Sequence, residues 1–311
     1  MDLIQCGLRP AVIRMLCGST LSVNDYQYLF KAYSPLPVER RQGRLRFNPE
    51  VTGLRRAREQ QLQKFSPAAM AMLRRLRVAF FSTGDELRSI GEPLDEGCVY
   101  DSNRYTLWGM LQRLGVDLID MGVVRDDPAA LEAAFRQAAQ DADAVITSGG
   151  VSVGEADHTK QVMKTLGDVL FWRIAMRPGR PMAIGRISSG GHDAILFGLP
   201  GNPVAVMVTF YAFVRDALLA MSGATPQPLP MLRAASTQAI RKKAGRTEYQ
   251  RGIVTRSASS ASGWQVEITG AQGSGILRSM SVANGLVVLG HEQGNVAAGE
   301  LVDVLPFDGL V

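Results

Sequence analysis

Cysteine is nearly absent. Cys6, Cys17 and Cys98 are the only three in 311 residues, and their spacing makes neither a disulfide framework nor a CxxC metal pair. Histidine is as scarce: His192 and His291 fall in loop-like contexts, and His158 sits beside acids without the partners catalysis needs. The phosphate-binding signatures G-x-G-x-x-G and GxxxxGK followed by Ser or Thr do not occur, which removes support for dinucleotide binding or a P-loop. No apolar run approaches the ~18–20 residues of a membrane span. The start, MDLIQCGLRP, lacks the basic-then-apolar order of a signal peptide, and no repeat of solenoid period is visible. These absences point to a cytoplasmic chain, neither disulfide-stapled nor membrane-bound.

What is present is ordinary for a soluble globular protein: 46% hydrophobic and 20% charged residues, at a length that suits about two domains. The net charge of +5 hides a split. Residues 1–77 hold 14 Lys+Arg against 5 Asp+Glu, a net of +9, so the rest of the chain holds 20 against 24, a net of −4. The pI of about 9.3 therefore does not argue that the main body binds nucleic acid. Within 1–73, Arg40, Arg41, Arg44 and Arg46, then Arg55, Arg56 and Arg58, crowd a stretch with no clear period. It reads as an unassigned basic extension, disordered by composition, rather than a nucleic-acid arm.

From Arg77 the pattern becomes regular. RVAFFS (77–82), VDLIDMGVV (116–124) and DAVITS (143–148) read as strands, separated by helices over 101–115 and 127–140, the second with Pro128 at its first position. Alternation of this kind predicts an α/β, doubly wound, mostly parallel sheet. Further on, 158–167 reads as a helix, 169–176, 180–187 and 194–200 as strands, and 202–223 as a long apolar helix with a core-like Met and aromatic stripe. After the proline-rich TPQPLP (225–230) the period becomes two, which predicts a small all-β sandwich or barrel. The expected domains are 74–226 and 228–311.

Four polar loops follow the strand ends: STGDEL (82–87), SGGVSVGEAD (148–157), MRPGRP (176–181) and LPGNP (199–203). An open α/β sheet binds its ligands at that edge. Gly149 and Gly150 let backbone N–H groups approach a phosphate, Asn202 can cap the long helix over the same crevice, and Arg173, Arg177 and Arg180 offer planar forks for an oxyanion. Asp85, Glu155 and Asp157 would repel such a ligand unless a cation intervened, so Mg²⁺ is the economical inference. Alone, each loop has a plainer reading: TGDEL as a helix start capped by Asp85, LPGNP as a turn. Composition and spacing lead to an α/β protein binding an anionic, adenylated ligand with a metal.

In order and spacing, TGDEL, DSN, SGGVSVGEAD, RPGRP and LPGNP resemble the MoeA-type molybdopterin molybdenumtransferases, whose eukaryotic relative is the E domain of gephyrin. The resemblance runs from about Arg77 to the C-terminus. It implies a molybdopterin-binding α/β domain, a C-terminal β-barrel-like domain, and an enzyme that inserts molybdate into adenylylated molybdopterin and releases AMP, with Mg²⁺ assisting. Carried over by position, Asp85 and Asp157 are tied to activity and, with Glu155, to the metal. Arg173 and Arg177 stand where better-known members carry anion-binding lysines. The positions implied for the pterin ligand are Thr83, Gly84, Ser102, Asn103, Ser148, Gly149, Gly150, Ser152, Gly154, Arg180 and the loop Pro200, Gly201, Asn202, Pro203. Arg251 (in EYQRG) and Ser274 (in QGSG) would face the site from the second domain.

Full-length members of that family carry two N-terminal domains that build much of a homodimer and lend acids to the partner's site. Residues 1–73 match neither, and the join at Arg74–Arg77 is abrupt, as a wrong start or a shifted frame upstream would produce. The resemblance also implies contact with a MogA-type adenylyltransferase. Two alternatives stand beside it. One is molybdopterin adenylylation, against which the β-rich tail argues because MogA-type proteins are single-domain. The other is a non-catalytic molybdopterin-binding scaffold or an inactive truncated fragment.

Overall fold

The computed structural model describes residues 74–151, 158–224 and 226–307. The basic segment 1–73 lies outside the described residues. The chain runs through β1 (Arg77–Thr83), the short strands β2 (Leu87–Arg88) and β3 (Val99–Tyr100), α1 (Ser102–Arg113), β4 (Asp117–Val124), α2 (Pro128–Asp141) and β5 (Ala144–Ser148). It continues through α3 (His158–Leu166), β6 (Gly167–Arg173), β7 (Met176–Arg177), β8 (Pro181–Ser189) and β9 (His192–Leu199). Six of these strands form one sheet in the order β4-β1-β5-β9-β8-β6.

The first four of that order are parallel, whereas β8 and β6 are antiparallel to their neighbours, so the sheet is mixed. The connections explain the difference. A parallel return needs a dozen or more residues, but only Gly190 and Gly191 join β8 to β9, with Ser189 paired to His192, a two-residue hairpin. One local expectation also changes. TGDEL does not start a helix but turns into β2. The N-cap of α1 is Asp101, whose side chain accepts from the Arg104 N–H.

β5 is buried along its whole length and β1 at all but its first residue, as expected of strands covered on both faces. On one face Phe81, Val145 and Leu196 pack with Leu131 and Phe135 of α2 and Met163 of α3; the Phe81 and Phe135 rings meet edge-on at 5.2 Å. On the other, Phe80, Ile146 and Phe197 pack with Leu107 and Leu111 of α1 and with a long helical run. That run is α4 (Pro203–Thr209), a π-helical turn (Phe210–Val214) and α5 (Arg215–Met221). It is long and apolar enough to cross a membrane by length and composition, which corrects the reading that no such run exists. With 61% of its apolar window buried and Phe210 and Phe213 in the core, it is the core helix its stripe predicted.

The remaining elements are β10 (Leu232–Ser236), β11 (Thr247–Arg256), β12 (Trp264–Ile268), α6 (Arg278–Val282), β13 (Gly285–Leu289) and β14 (Leu301–Pro306). Because β12 pairs with both β10 and β11, five strands close into a small barrel, which removes open edges. β7 then joins β11 in parallel. Met176, read from sequence as the end of the 169–176 strand, and Arg177, read as part of the MRPGRP loop, thus belong to the second sheet. Tyr249, Met280, Leu286 and Leu305 of the barrel segment lie in the same core cluster as Phe210 and Phe80.

At the bottom edge of the sheet Asp143 fastens the start of the fold. Its carboxylate accepts from Arg74 Nη1 at 2.7 Å and Nη2 at 2.5 Å, and from the Arg77 N–H at 2.7 Å. Burial pushes this carboxyl up, but the Arg74 and Arg77 hydrogen bonds and charges outweigh it and hold it below its ordinary value. A depressed carboxyl adds stability above its unfolded pKa and loses it as pH falls through the folded one. In urea unfolding, wild type should therefore exceed Asp143→Asn at neutral pH, with the gap narrowing as pH falls below the ordinary Asp value of about 3.9. A gap that stays constant into acid would contradict this account.

Candidate functional site

A cleft of about 1150 Å³ opens beyond the carboxyl ends of β1, β5 and β9. Its walls come from the predicted loops: Thr83 and Gly84, Ser102 and Asn103, Ser148 to Gly150, Arg177 to Pro181, and Pro200 to Pro203. The barrel adds Gln272 to Gly275, with Ser274 among them. Segments far apart in sequence thus meet at one place. Ser152, Gly154, Glu155 and Asp157 lie outside the described residues.

Hydrogen bonds join these loops into one floor. Asn103 Nδ2 donates to Ser148 Oγ at 2.7 Å and to the Gly201 carbonyl at 2.6 Å. A carbonyl only accepts, so the amide nitrogen must face it and Oδ1 points away. That Oδ1, Asp101 Oδ2 and Thr83 Oγ1 are buried without a hydrogen-bond partner among the described residues. Buried polar atoms are nearly always paired, and such a cluster marks a place where ligand or water completes the bonding.

Two expected roles change in detail. The Gly149 N–H donates to the Leu199 carbonyl at 3.1 Å, extending the β5–β9 ladder, so it is not free for a phosphate. The glycine pair is required by close approach instead. With φ of 98° and 65°, added Cβ atoms would lie 2.5 Å from the Thr83 carbonyl oxygen and 2.4 Å from Thr159 Oγ1. Asn202 occupies the N-cap of α4 but makes no side-chain cap bond; the Val204 N–H is taken by the Ser274 carbonyl at 3.1 Å. The barrel loop thereby docks on the start of the core helix.

Of the arginines, Arg177 and Arg180 line the cleft, while Arg173 is exposed at the end of β6 and does not. Arg251 is 1% exposed and does not border the cleft directly. Its guanidinium donates to the carbonyls of Ala271 and Gly273 at 3.3 and 3.0 Å and to Ser279 Oγ at 3.0 Å, so it holds up the loop that carries Ser274. No carboxylate pairs with it among the described residues. Burial, and then the charge of Arg177, push its pKa down to about 10.

Asp85 is exposed, accepts from the Asp126 N–H at 3.2 Å, and borders an adjoining cavity of about 800 Å³ with Arg88, Glu92, Asp95 and Arg125. Among the described residues, the carboxylates lining the main cleft are Glu86, Asp101 and Asp126, which sequence reasoning passed over. Each stood next to a residue that was noticed: Glu86 in TGDEL, Asp101 before Ser102, Asp126 just before the predicted helix 127–140. Among the described residues, no group of three His, Cys, Asp or Glu could hold a metal ion.

Comparison with known proteins decides the family. A family model described as probable molybdopterin binding domain matches residues 79–220, and one described as MoeA C-terminal region (domain IV) matches 233–307. The chain belongs to the MoeA family. It is 41% identical over 245 residues to a molybdopterin molybdenumtransferase of Haemophilus influenzae, covering 78% of this chain and 59% of that one. It is 33% identical to molybdopterin molybdenumtransferase 2 of Mycobacterium tuberculosis, covering 76% and 58%. A crystal structure of a MoeA protein from Pyrococcus horikoshii superposes with a TM-score of 0.62 at 30% identity, covering 78% of this chain and 58% of that one. The chain thus spans about three-fifths of the length of these MoeA relatives.

The buried arginine supports a direct test. Arg251→Met keeps most of the side chain's bulk but leaves the Ala271 and Gly273 carbonyls unpaired, so urea unfolding should show a loss of about 1–3 kcal/mol. Stability unchanged from wild type would mean that Arg251 does not hold the 271–275 loop.

Proposed function

We propose that the cleft binds adenylylated molybdopterin, takes molybdate as co-substrate and releases AMP, the molybdenumtransferase reaction of molybdenum cofactor biosynthesis. The observation that carries this is convergence: TGDEL, DSN, the Gly pair of SGGVSVGEAD, RPGRP and LPGNP, scattered from Thr83 to Pro203, line one cleft together with a barrel loop. In the reaction, the dithiolene sulfurs displace oxygens of molybdate, which leave as water, and the phosphoanhydride-type bond to the adenylyl group is hydrolysed.

The residues of this chain supply binding and charge. Arg177 and Arg180 face the anionic part of the ligand. Arg251, buried and without a carboxylate partner among the described residues, makes the 271–275 end of the cleft favourable to an anion. Asn103 and Asp101 present acceptors that a ligand N–H or O–H would satisfy. Magnesium would be held by Glu155 and Asp157, since the described carboxylates do not form a set that would hold it. Homodimerisation and contact with a MogA-type adenylyltransferase belong to the same reading. The adenylylation alternative is disfavoured because the barrel contributes Gln272 to Gly275 to the lining, which a single-domain adenylyltransferase would not need.

Two assays separate these activities. Molybdopterin with ATP should give no AMP-linked product, whereas adenylylated molybdopterin with molybdate should release AMP. The reverse result would establish the adenylyltransferase reading. Asp157→Asn should abolish AMP release while pterin binding is partly retained. Unchanged turnover in that variant would remove Asp157 from the catalytic set.

A further inference from the structure

The lining of the cleft is uneven along its length. Its cationic side chains among the described residues, Arg177 and Arg180, come from the RPGRP loop, near the barrel loop held by Arg251. From there a line of contacts runs through Ser274 to Val204, back to Gly201, and through Asn103 to Asp101. It ends at the β2–β3 ribbon, where Leu87, Val99 and Tyr100 stand beside Glu86, whose carbonyl accepts from the Val99 N–H at 2.8 Å. Tyr100 is the one aromatic residue among the described residues that line the cleft.

Single exposed apolar side chains are common on protein surfaces and need no explanation. Tyr100 differs in company and in fixation. It is 46% exposed and its neighbour Val99 53%, both in a lining made mostly of glycine, proline and polar residues. Its hydroxyl donates to the Glu92 carbonyl at 3.2 Å, and its backbone is registered against Arg88 in the ribbon. A ring tethered through its hydroxyl and its backbone at the border of an open cleft is a platform for another planar ring.

We propose that Tyr100 stacks the ligand's heterocycle, of the planar amino-bearing class that pterin and adenine share. Glu86 and Asp126 lie at hand as acceptors for its amino hydrogens, and the phosphate or oxyanion is left to the arginine end. This rests on the proposed function and deepens it, because it sets which end of the ligand goes where and makes Tyr100 a specificity residue.

The test titrates AMP, unsubstituted pterin and inorganic phosphate into the full chain by calorimetry, for wild type, Tyr100→Ala and Tyr100→Phe, with matched thermal melts. Removing a stacking ring weakens a base-like ligand by about tenfold or more. Tyr100→Ala should show that loss for AMP, for pterin or for both, and the probe affected names the ring that stacks there. Phosphate should bind all three proteins alike, and Tyr100→Phe should stay within about twofold of wild type, since a phenyl face stacks as tyrosine does. Ring-bearing probes that bind Tyr100→Ala as tightly as wild type, or a phosphate loss equal to the ring-probe loss, would overturn the proposal alone. A wild type that binds neither AMP nor pterin would remove it together with the function it rests on.

Discussion

The cleft depends on a strand pairing two residues long. Met176 lies opposite Thr247 and Arg177 opposite Glu248, with the Thr247 N–H given to the Ala175 carbonyl at 2.9 Å. Each such bond contributes only about 0.5–1.5 kcal/mol net, so the join relies on what is buried behind it. Tyr249, Leu286 and Leu305 sit in one apolar cluster with Phe210, Phe213 and Met176. Glu248, 2% exposed, is neutralised by Arg246 at 2.6 Å. The closed barrel is thus fixed against the sheet where its 271–275 loop reaches the strand ends. Without the pairing, the α/β segment would carry a crevice with one wall missing.

Charge follows from the same geometry. Arg177 reaches the cleft because β7 leaves the first sheet for the second, and Arg251 comes close behind it because β11 is the strand β7 joins. Burial of Arg251, with the charge of Arg177 close by, is an unfavourable arrangement that depresses the Arg251 pKa. An anion offsets it. The carboxylates Glu86, Asp101 and Asp126 belong instead to the loops around β1, β3 and β4, so the two signs of charge come from separate segments of the lining. That separation suits a ligand with an amino-bearing ring and a phosphorylated tail.

Much of this was legible in the sequence, and what was not has identifiable physical causes. Apolar runs and helical spacing place β1, α1, β4, α2 and β5, because burial on both faces leaves a pattern that side chains cannot disguise. Strand direction leaves no such mark: 180–187 reads the same whether parallel or antiparallel, and only the two-residue link Gly190–Gly191 decides it. The migration of 176–177 to the barrel is invisible because a pairing partner seventy residues later has no local signature. Arg251 in EYQRG looks like any surface arginine; its burial follows from the 271–279 segment folding back over it. Asp85 and Glu86 are adjacent acids, and which one lines the main cleft is set by the turn between β1 and β2 rather than by composition.

The central claim is that loops of the sheet and the loop of the barrel bind one ligand together. A crystal structure of the chain with adenylylated molybdopterin tests it most directly. The account predicts density in a single cleft touching the Ser148–Gly150 and Pro200–Pro203 loops on one side and Gln272–Gly275 on the other. Ligand held by the sheet loops alone, with the barrel loop turned away, or ligand bound outside this cleft, would contradict it.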